Sequence, residues 1–460
     1  MRGQTTTRTT GHLPRTVLGM LLALACGLAV AQNAGRVEFA RGVGFAQSPG
    51  QMPRTLGKGL ELREGDRLTT SEGGSAVIQL EDGTRMTVRP NSELVLQQYQ
   101  FKQDAQDNSM VLQMVRGGFR AITGLISKNS PNAAKVQTGT ATIGIRGTDF
   151  DARLCAADCA SESARIREGT RPNAILASAK IVQSQGEVFA VDANGQRRRV
   201  VDGGSIYPGD VVETSGNGQA ALAFRDDTKI TLGAGSRFRV DNFVYDEQNA
   251  REGRFLASVL RGTVRALTGL IAKANNRNVG FSTATATIGV RGTGFDVTCT
   301  GACAGEPGGG GDSGLTVFTT LGSIAVTPQG QTALQVLQAG QGLFISPTGG
   351  ILPINTPPIM NVPPPNFAVP PKLFATQEVP ESKEGLHVLV REGHIEVATE
   401  TEVLHLGKGE AGYAGPDGQT ARPADVGKFL LYDRMPIPRG NEGLILLLDD
   451  GVLRVARTCS

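Results

Sequence analysis

Two kinds of residue recur in this sequence at spacings that could do chemistry. Four cysteines form two matching pairs, Cys155-x3-Cys159 and Cys299-x3-Cys303. Two arginines stand between glycines in matching runs, Gly144-Ile145-Arg146-Gly147-Thr148 and Gly289-Val290-Arg291-Gly292-Thr293. Ala-Ala-Asp and Thr-Gly-Ala between the thiols can turn tightly enough to bring two Cα atoms within disulfide range. A loop of about five residues closed this way gains only ~2 kcal/mol, which makes each bridge a local staple. The alternative is a four-thiolate zinc site, which requires the two pairs to meet. Each arginine could hold an anion or a partner through its planar fork. The structural alternative folds it over the domain edge, onto carbonyls and Asp151 or Asp296, with the glycines allowing φ > 0 or close backbone approach. The structural role is the expected one, because both copies keep the glycines as well as the arginine.

His387, His394 and His405 crowd together late in the chain. If Glu392-Gly393 is a hairpin turn, His387 lies about 13 Å from the strand position opposite His394, too far for one metal to bridge. No metal and no cofactor is therefore expected. No histidine occurs between positions 32 and 386, so imidazole catalysis cannot lie within that stretch alone. Nothing has the form of a hydrolase elbow, a phosphate loop or a dinucleotide fingerprint. No catalytic residue is assigned, and the chain is read as not an enzyme.

The elements that position these residues come in repeats. Ala141 to Phe150 recurs as Ala286 to Phe295. Arg116-Gly117 and Thr123-Gly124-Leu125-Ile126 recur as Arg261-Gly262 and Thr268-Gly269-Leu270-Ile271. Gly65-Asp66 answers Gly209-Asp210, and Asn91-Ser92 answers Gly235-Ser236. Ala76–Leu80 and Met86–Val88 flank Asp82-Gly83, a strand–turn–strand pattern mirrored at 220–232. A smaller element, alternating apolar residues about a glycine, appears at 181–191, 317–326 and 388–397, and more loosely at 37–45. It reads as a β-hairpin. The chain is thus expected to be mainly β, as tandem antiparallel β-sandwich or roll units, or short β-solenoid units, with a small C-terminal β module. The boundaries are 35–165 for the first unit and 175–350 for the second, with a Gly-rich insertion at 305–314. A Pro-rich linker follows at 351–375, read as an extended spacer, and the C-terminal module occupies 376–460.

Residues 1–31 read as a signal peptide: Arg2, Arg8 and Arg15, an apolar run from Val17 to Leu28, then Ala29-Val30-Ala31. The run is short for a membrane span, and Cys26 leaves lipid attachment open. With 46 Lys+Arg and 43 Asp+Glu in the whole chain, removing those three arginines leaves the mature protein formally neutral. A neutral chain gives no electrostatic case for nucleic acid, and Arg197-Arg198-Arg199 is read as a solvated hairpin tip. With no Trp and 5 Tyr, sugar-stacking platforms are scarce.

The order of these parts resembles the FecR domain: a Gly-Asp pair leading into a strand, an Asp-Gly hairpin, an Asn-Ser or Gly-Ser turn, a Gly-containing strand, and a closing Ala-Thr-x-Gly-x-Arg-Gly-Thr-x-Phe. The resemblance covers both large units. It implies periplasmic β domains, which in the best-understood members stand between an outer-membrane receptor and a cytoplasmic sigma factor and relay iron-siderophore occupancy. Those regulators begin with a cytoplasmic helical segment and one membrane span, where this sequence has an export signal. The resemblance therefore implies fold, compartment and a sensing or docking role with a protein partner in the envelope, periplasmic or at the cell surface or outer membrane, without nucleic acid and without a transmembrane span in the mature chain. The competing functions are an envelope structural or adhesin-like repeat protein and, less favoured, a carbohydrate-acting enzyme. Cys459 is left over from the pairs.

Overall fold

The computed structural model describes residues 3, 33–103, 107–129, 133–167, 169–306 and 313–431. The expected signal peptide, Gln32, Cys26, Cys459, most of the Gly-rich insertion and the last part of the C-terminal module lie outside these residues. The molecule is mainly β.

Alternation builds the same core in each unit. Ser75–Leu80 pairs with Arg85–Val88 about the Asp82-Gly83 turn, and Gln219–Phe224 pairs with Lys229–Leu232 about Asp226-Asp227. Long strands Ser109–Ile122 and Arg254–Leu267 follow at matching positions. Each leads into a five-residue helix, Leu125–Asn129 or Leu270–Ala274, and then a short strand that returns parallel to the long one, at 134–137 or 279–282. Each unit therefore holds one parallel pairing in an otherwise antiparallel arrangement.

The glycine-centred elements are not hairpins. Ala179–Gln185 pairs with Ser205–Ile206 and Gln219–Phe224, whereas Val188–Val191 pairs with Arg197–Val200 and Val211–Thr214. Gly314–Leu321 and Ser323–Pro328 likewise have separate partners. Gly186 and Gly322 have φ of 65° and 70°, a left-handed kink that a β-branched residue would resist. The kink passes the chain from one face of the unit to the other, so both halves bury their apolar residues in one core. Period 2 is right on either side of the glycine; the pairing inferred from it is not.

Two of these elements open a unit and two close one. In the second unit the closing element follows directly: 286–290 pairs with 323–328, and 294–300 pairs with 314–321. In the first unit the equivalent strand, Thr142–Cys155, pairs along its length with Gly385–Ala398, which lies beyond the whole second unit. Leu386, Val388, Val390, Ile395, Val397, Leu404 and Leu406 are buried in the same core as Val37, Phe119 and Phe150. Residues 385–414 thus complete the first unit's sheet, and the second unit is nested between the first unit's strands.

The Pro-rich segment carries the chain back. It is extended, and it lies against the second unit. Gln219 Nε2, Arg265 Nη1, Thr231 Oγ1 and Lys229 Nζ donate to the carbonyls of Asn361, Val362, Pro363 and Phe367 at 3.0, 3.0, 2.7 and 2.6 Å. Prolines lack an N–H but keep the carbonyl, which suits a strap that accepts from donors on the surface beneath it.

Candidate functional site

The repeated arginines have different fates. Arg146 Nη2 lies 2.7 Å from Glu396 Oε1 on the closing strand. Arg291 is exposed and makes no ion pair or side-chain hydrogen bond among the described residues. Neither reaches Asp151 or Asp296. Asp151 instead accepts from Arg89 and Arg391, each at 2.6 Å, and Asp296 from Arg265 at 2.9 Å. The glycines behave as expected at Gly147 and Gly292, with φ of 60° and 68°. Gly144 and Gly289 sit across from Glu396 and Ala325, in ordinary contact distance. Thr148 and Thr293 exchange hydrogen bonds with Thr123 and Thr268, and Thr148 Oγ1 also donates to the carbonyl of His394 at 2.7 Å. Arg146→Ala should therefore destabilise the folded chain by about 1–2 kcal/mol in urea unfolding, while Arg291→Ala should leave it unchanged. Equal losses would contradict this asymmetry.

Beside Arg146 the two units meet. Lys180 opens the second unit, and its Nζ lies 2.8 Å from Glu410 Oε2, with both side chains essentially without solvent contact. Arg422 Nε reaches the same oxygen at 2.8 Å and is equally buried. Lys180 also donates to the His405 carbonyl at 3.2 Å, and Arg422 donates to the carbonyls of His405 and Lys372. Glu410 Oε1 is buried without a partner. Burial lowers the Lys180 ammonium to about 8 against the pull of Glu410. Tyr207 is pushed up to about 12, chiefly by burial and then by Glu410, and its oxygen accepts from the Lys408 N–H at 2.8 Å. Approach is close enough to demand glycine: a Cβ at Gly203 would stand 2.0 Å from His405 Cγ, and one at Gly407 2.3 Å from Ser205 Oγ.

The histidines correct the hairpin geometry assumed for them. Gly385–Ala398 runs as one strand through Glu392-Gly393, with only a register shift there. His387 is thus seven residues, roughly 20 Å, from His394 along the strand. It packs separately against Tyr413 and Phe429. His405, however, arrives from the next strand, where it is paired with Glu396. Its ring stacks on His394 with centroids 5.6 Å apart. Alternation alone carried this signal: Ile395, Val397, Leu404 and Leu406 point inward, leaving His394, Glu396 and His405 on the opposite face. Burial holds His394 well below the usual range and His405 at about 4, with Lys180, Arg146 and Arg422 adding to it.

His387 sets a pH dependence. Burial lowers it to about 4, so between pH 6.5 and 4 the unfolded chain binds a proton that the folded chain refuses. Stability should fall across that window as pH drops. His387→Phe keeps a ring against Tyr413 and Phe429, and should reduce the loss measured by urea unfolding at pH 7 and pH 4.5.

Both cysteine pairs are disulfide-bonded, with Cα separations of 5.6 Å for Cys155–Cys159 and 5.2 Å for Cys299–Cys303. Each bridge fastens the end of a motif strand to the short helix that follows it, Cys159–Ala164 or Gly301–Ala304. The repeated acids are structural fixtures as well. Asp66 accepts from Ser48, Arg54 and the Arg63 N–H, and Asp210 from Arg198 and the Tyr207 N–H. Arg198 is thus folded back onto a buried carboxylate rather than left as part of a solvated tip. Asp82 and Asp226 each accept from the N–H and hydroxyl of the threonine two residues on. Among the described residues no helix is long and apolar enough to cross a membrane.

The family model described as "FecR protein" matches residues 66–170 and 210–305. Both matched segments begin at the repeated Asp66 and Asp210 and stop short of the closing strands. No curated protein matches the sequence. Two crystal structures of a candidate anti-sigma factor from Parabacteroides distasonis are similar over 32% of this chain and 59% of theirs, at 18% identity and a TM-score of 0.24. The chain thus spans under two thirds of the length of the solved proteins it matches.

Proposed function

The chain carries two FecR domains in tandem, and from that premise we propose that it is an exported binding protein of the bacterial envelope that takes part in sensing or relaying a signal through a protein partner. The observation that carries this reading is the family match in both units. Two disulfide-bonded pairs suit an oxidising compartment. The formally neutral mature charge removes the electrostatic basis for a nucleic-acid partner. A structural spacer would string its units along the chain. Here the last strands return to the first unit, and buried charges tie the two units together, an arrangement suited to presenting one fixed surface to a partner.

The test is fractionation and cross-linking of the tagged full chain in its own host. The mature protein should begin at Gln32, appear in the envelope or osmotic-shock fraction, and cross-link reproducibly to one envelope protein. Recovery in the cytoplasm, or cross-links only between copies of the chain, would contradict the reading.

A further inference from the structure

The face that carries His394, Glu396 and His405 is built like a metal site. His394 and Glu396 are two residues apart on one strand, and His405 stands directly across from Glu396 on the next. Three side chains therefore leave the same side of a two-stranded ribbon, which fixes their mutual geometry more firmly than a loop would. His405 Nδ1 lies 3.5 Å from His394 Nε2 and 3.8 Å from Glu396 Oε1. The three ligand atoms all fall within 4.8 Å of one another. A tetrahedral zinc with bonds of about 2.0–2.2 Å holds its ligand atoms roughly 3.3–3.5 Å apart. The two separations from His405 are already within a few tenths of an ångström of that spacing, and the third is no more than 4.8 Å.

From this juxtaposition we propose that His394, Glu396 and His405 bind one borderline divalent transition-metal ion, of which zinc is the natural probe. Two imidazoles and one carboxylate are the donor set for such ions, while hard cations such as calcium want more oxygens. The inference is independent of the partner-binding role.

Arg146 belongs to the same arrangement. It pairs with the Glu396 oxygen that faces His405, so an entering cation competes with the guanidinium for the carboxylate. Lys180 and Arg422 stand close enough to act on His405, and they oppose a dication as well. Binding should accordingly be micromolar rather than as tight as a closed structural zinc site. Both ligand strands belong to the hairpin that completes the first unit, and His405 abuts Gly203 of the second. A bound ion would brace that hairpin at the junction of the two units, and Arg146 would be freed toward solvent.

The experiment is zinc titration of the full mature chain by calorimetry, with Cys459→Ser to remove the leftover thiol, and a cobalt(II) spectrum on the same protein. The expected result is one zinc per chain, with the intense visible bands of four-coordinate cobalt and no heat from calcium. Glu396→Gln and His405→Gln should each weaken zinc at least tenfold while keeping the far-UV circular dichroism of the parent. Arg146→Gln should tighten it, because it removes the competitor. If one of the carboxamide variants fails to fold, the other and Arg146→Gln still decide the matter. Absence of stoichiometric zinc in the folded parent, or affinity unchanged in the folded ligand variants, would overturn the proposal.

Discussion

Removal of residues 376–460 is expected to unfold the first unit and leave the second intact. The truncated chain loses the strand that pairs with Thr142–Cys155 along its whole length. Seven large apolar side chains leave the core with it. At ~1.5–3 kcal/mol for each buried side chain, that is roughly 10 kcal/mol or more of gross burial. Whole domains are stable by only about 5–15 kcal/mol. The loss also strips Arg89 of its bond to the Phe429 carbonyl and leaves a long unpaired strand edge, which invites aggregation. The second unit has its own closing strands and its own core. Hydrogen exchange should therefore show protection lost across 33–155 and retained across 179–354. Retention in both regions would mean that the first unit folds without its distant strand.

Glu410→Ala is expected to be the most damaging single substitution at the junction. It leaves the Lys180 ammonium and the Arg422 guanidinium buried without their carboxylate. Breaking one partner out of a buried ion pair costs about 3–5 kcal/mol, mostly because a charge is stranded. The triple change Lys180→Met, Glu410→Leu, Arg422→Met should recover much of that, since no charge then remains to be solvated. A linked effect of pH follows from Lys180. Its folded value is lowered to about 8 by burial, so between pH 8 and about 10.5 the unfolded chain holds a proton that the folded chain has released. Stability should rise with pH across that window, by roughly 3 kcal/mol at most. Comparison with Lys180→Met isolates the rise from the opposing titration of tyrosines. Urea midpoints for parent and variants at pH 7 and pH 9.5 would settle both points. A Glu410→Ala midpoint equal to the parent's would mean that the network contributes nothing at the junction.

Much of this was legible in the sequence because it is local. Strand identity, the doubled unit, the cysteine pairs and the role of Gly147 and Gly292 follow from alternation, spacing and backbone sterics acting within a few residues. The glycine-centred elements were found for the same reason. Their pairing was not, because a kink at Gly186 or Gly322 and a two-residue turn have the same composition and differ only in which strands lie alongside. The destination of 388–397 could not be read from pattern at all. Its likeness to 317–326 marks it as a closing strand, but only long-range pairing shows that the unit it closes is the first. The junction was missed for a related reason. Lys180, Glu410 and Arg422 look like ordinary surface charges, and only the nesting of one unit in the other buries them. Arg146 and Arg291 match in sequence, yet only Arg146 has an acid on its closing strand, Glu396, where the second unit has Ala325 near the corresponding glycine.

The nesting is tested most directly by a designed cross-link. Thr142 and Ala398 are paired across the first unit's strand and the closing strand, near the end of the ladder. With Cys459 replaced by serine, the full chain carrying Thr142→Cys and Ala398→Cys should form an intramolecular disulfide on mild oxidation, seen by peptide mapping of monomeric protein, without loss of the two native bridges. Two thiols that stay reduced under those conditions, or a bond found only between two copies of the chain, would contradict the claim that the last strands complete the first unit of their own chain.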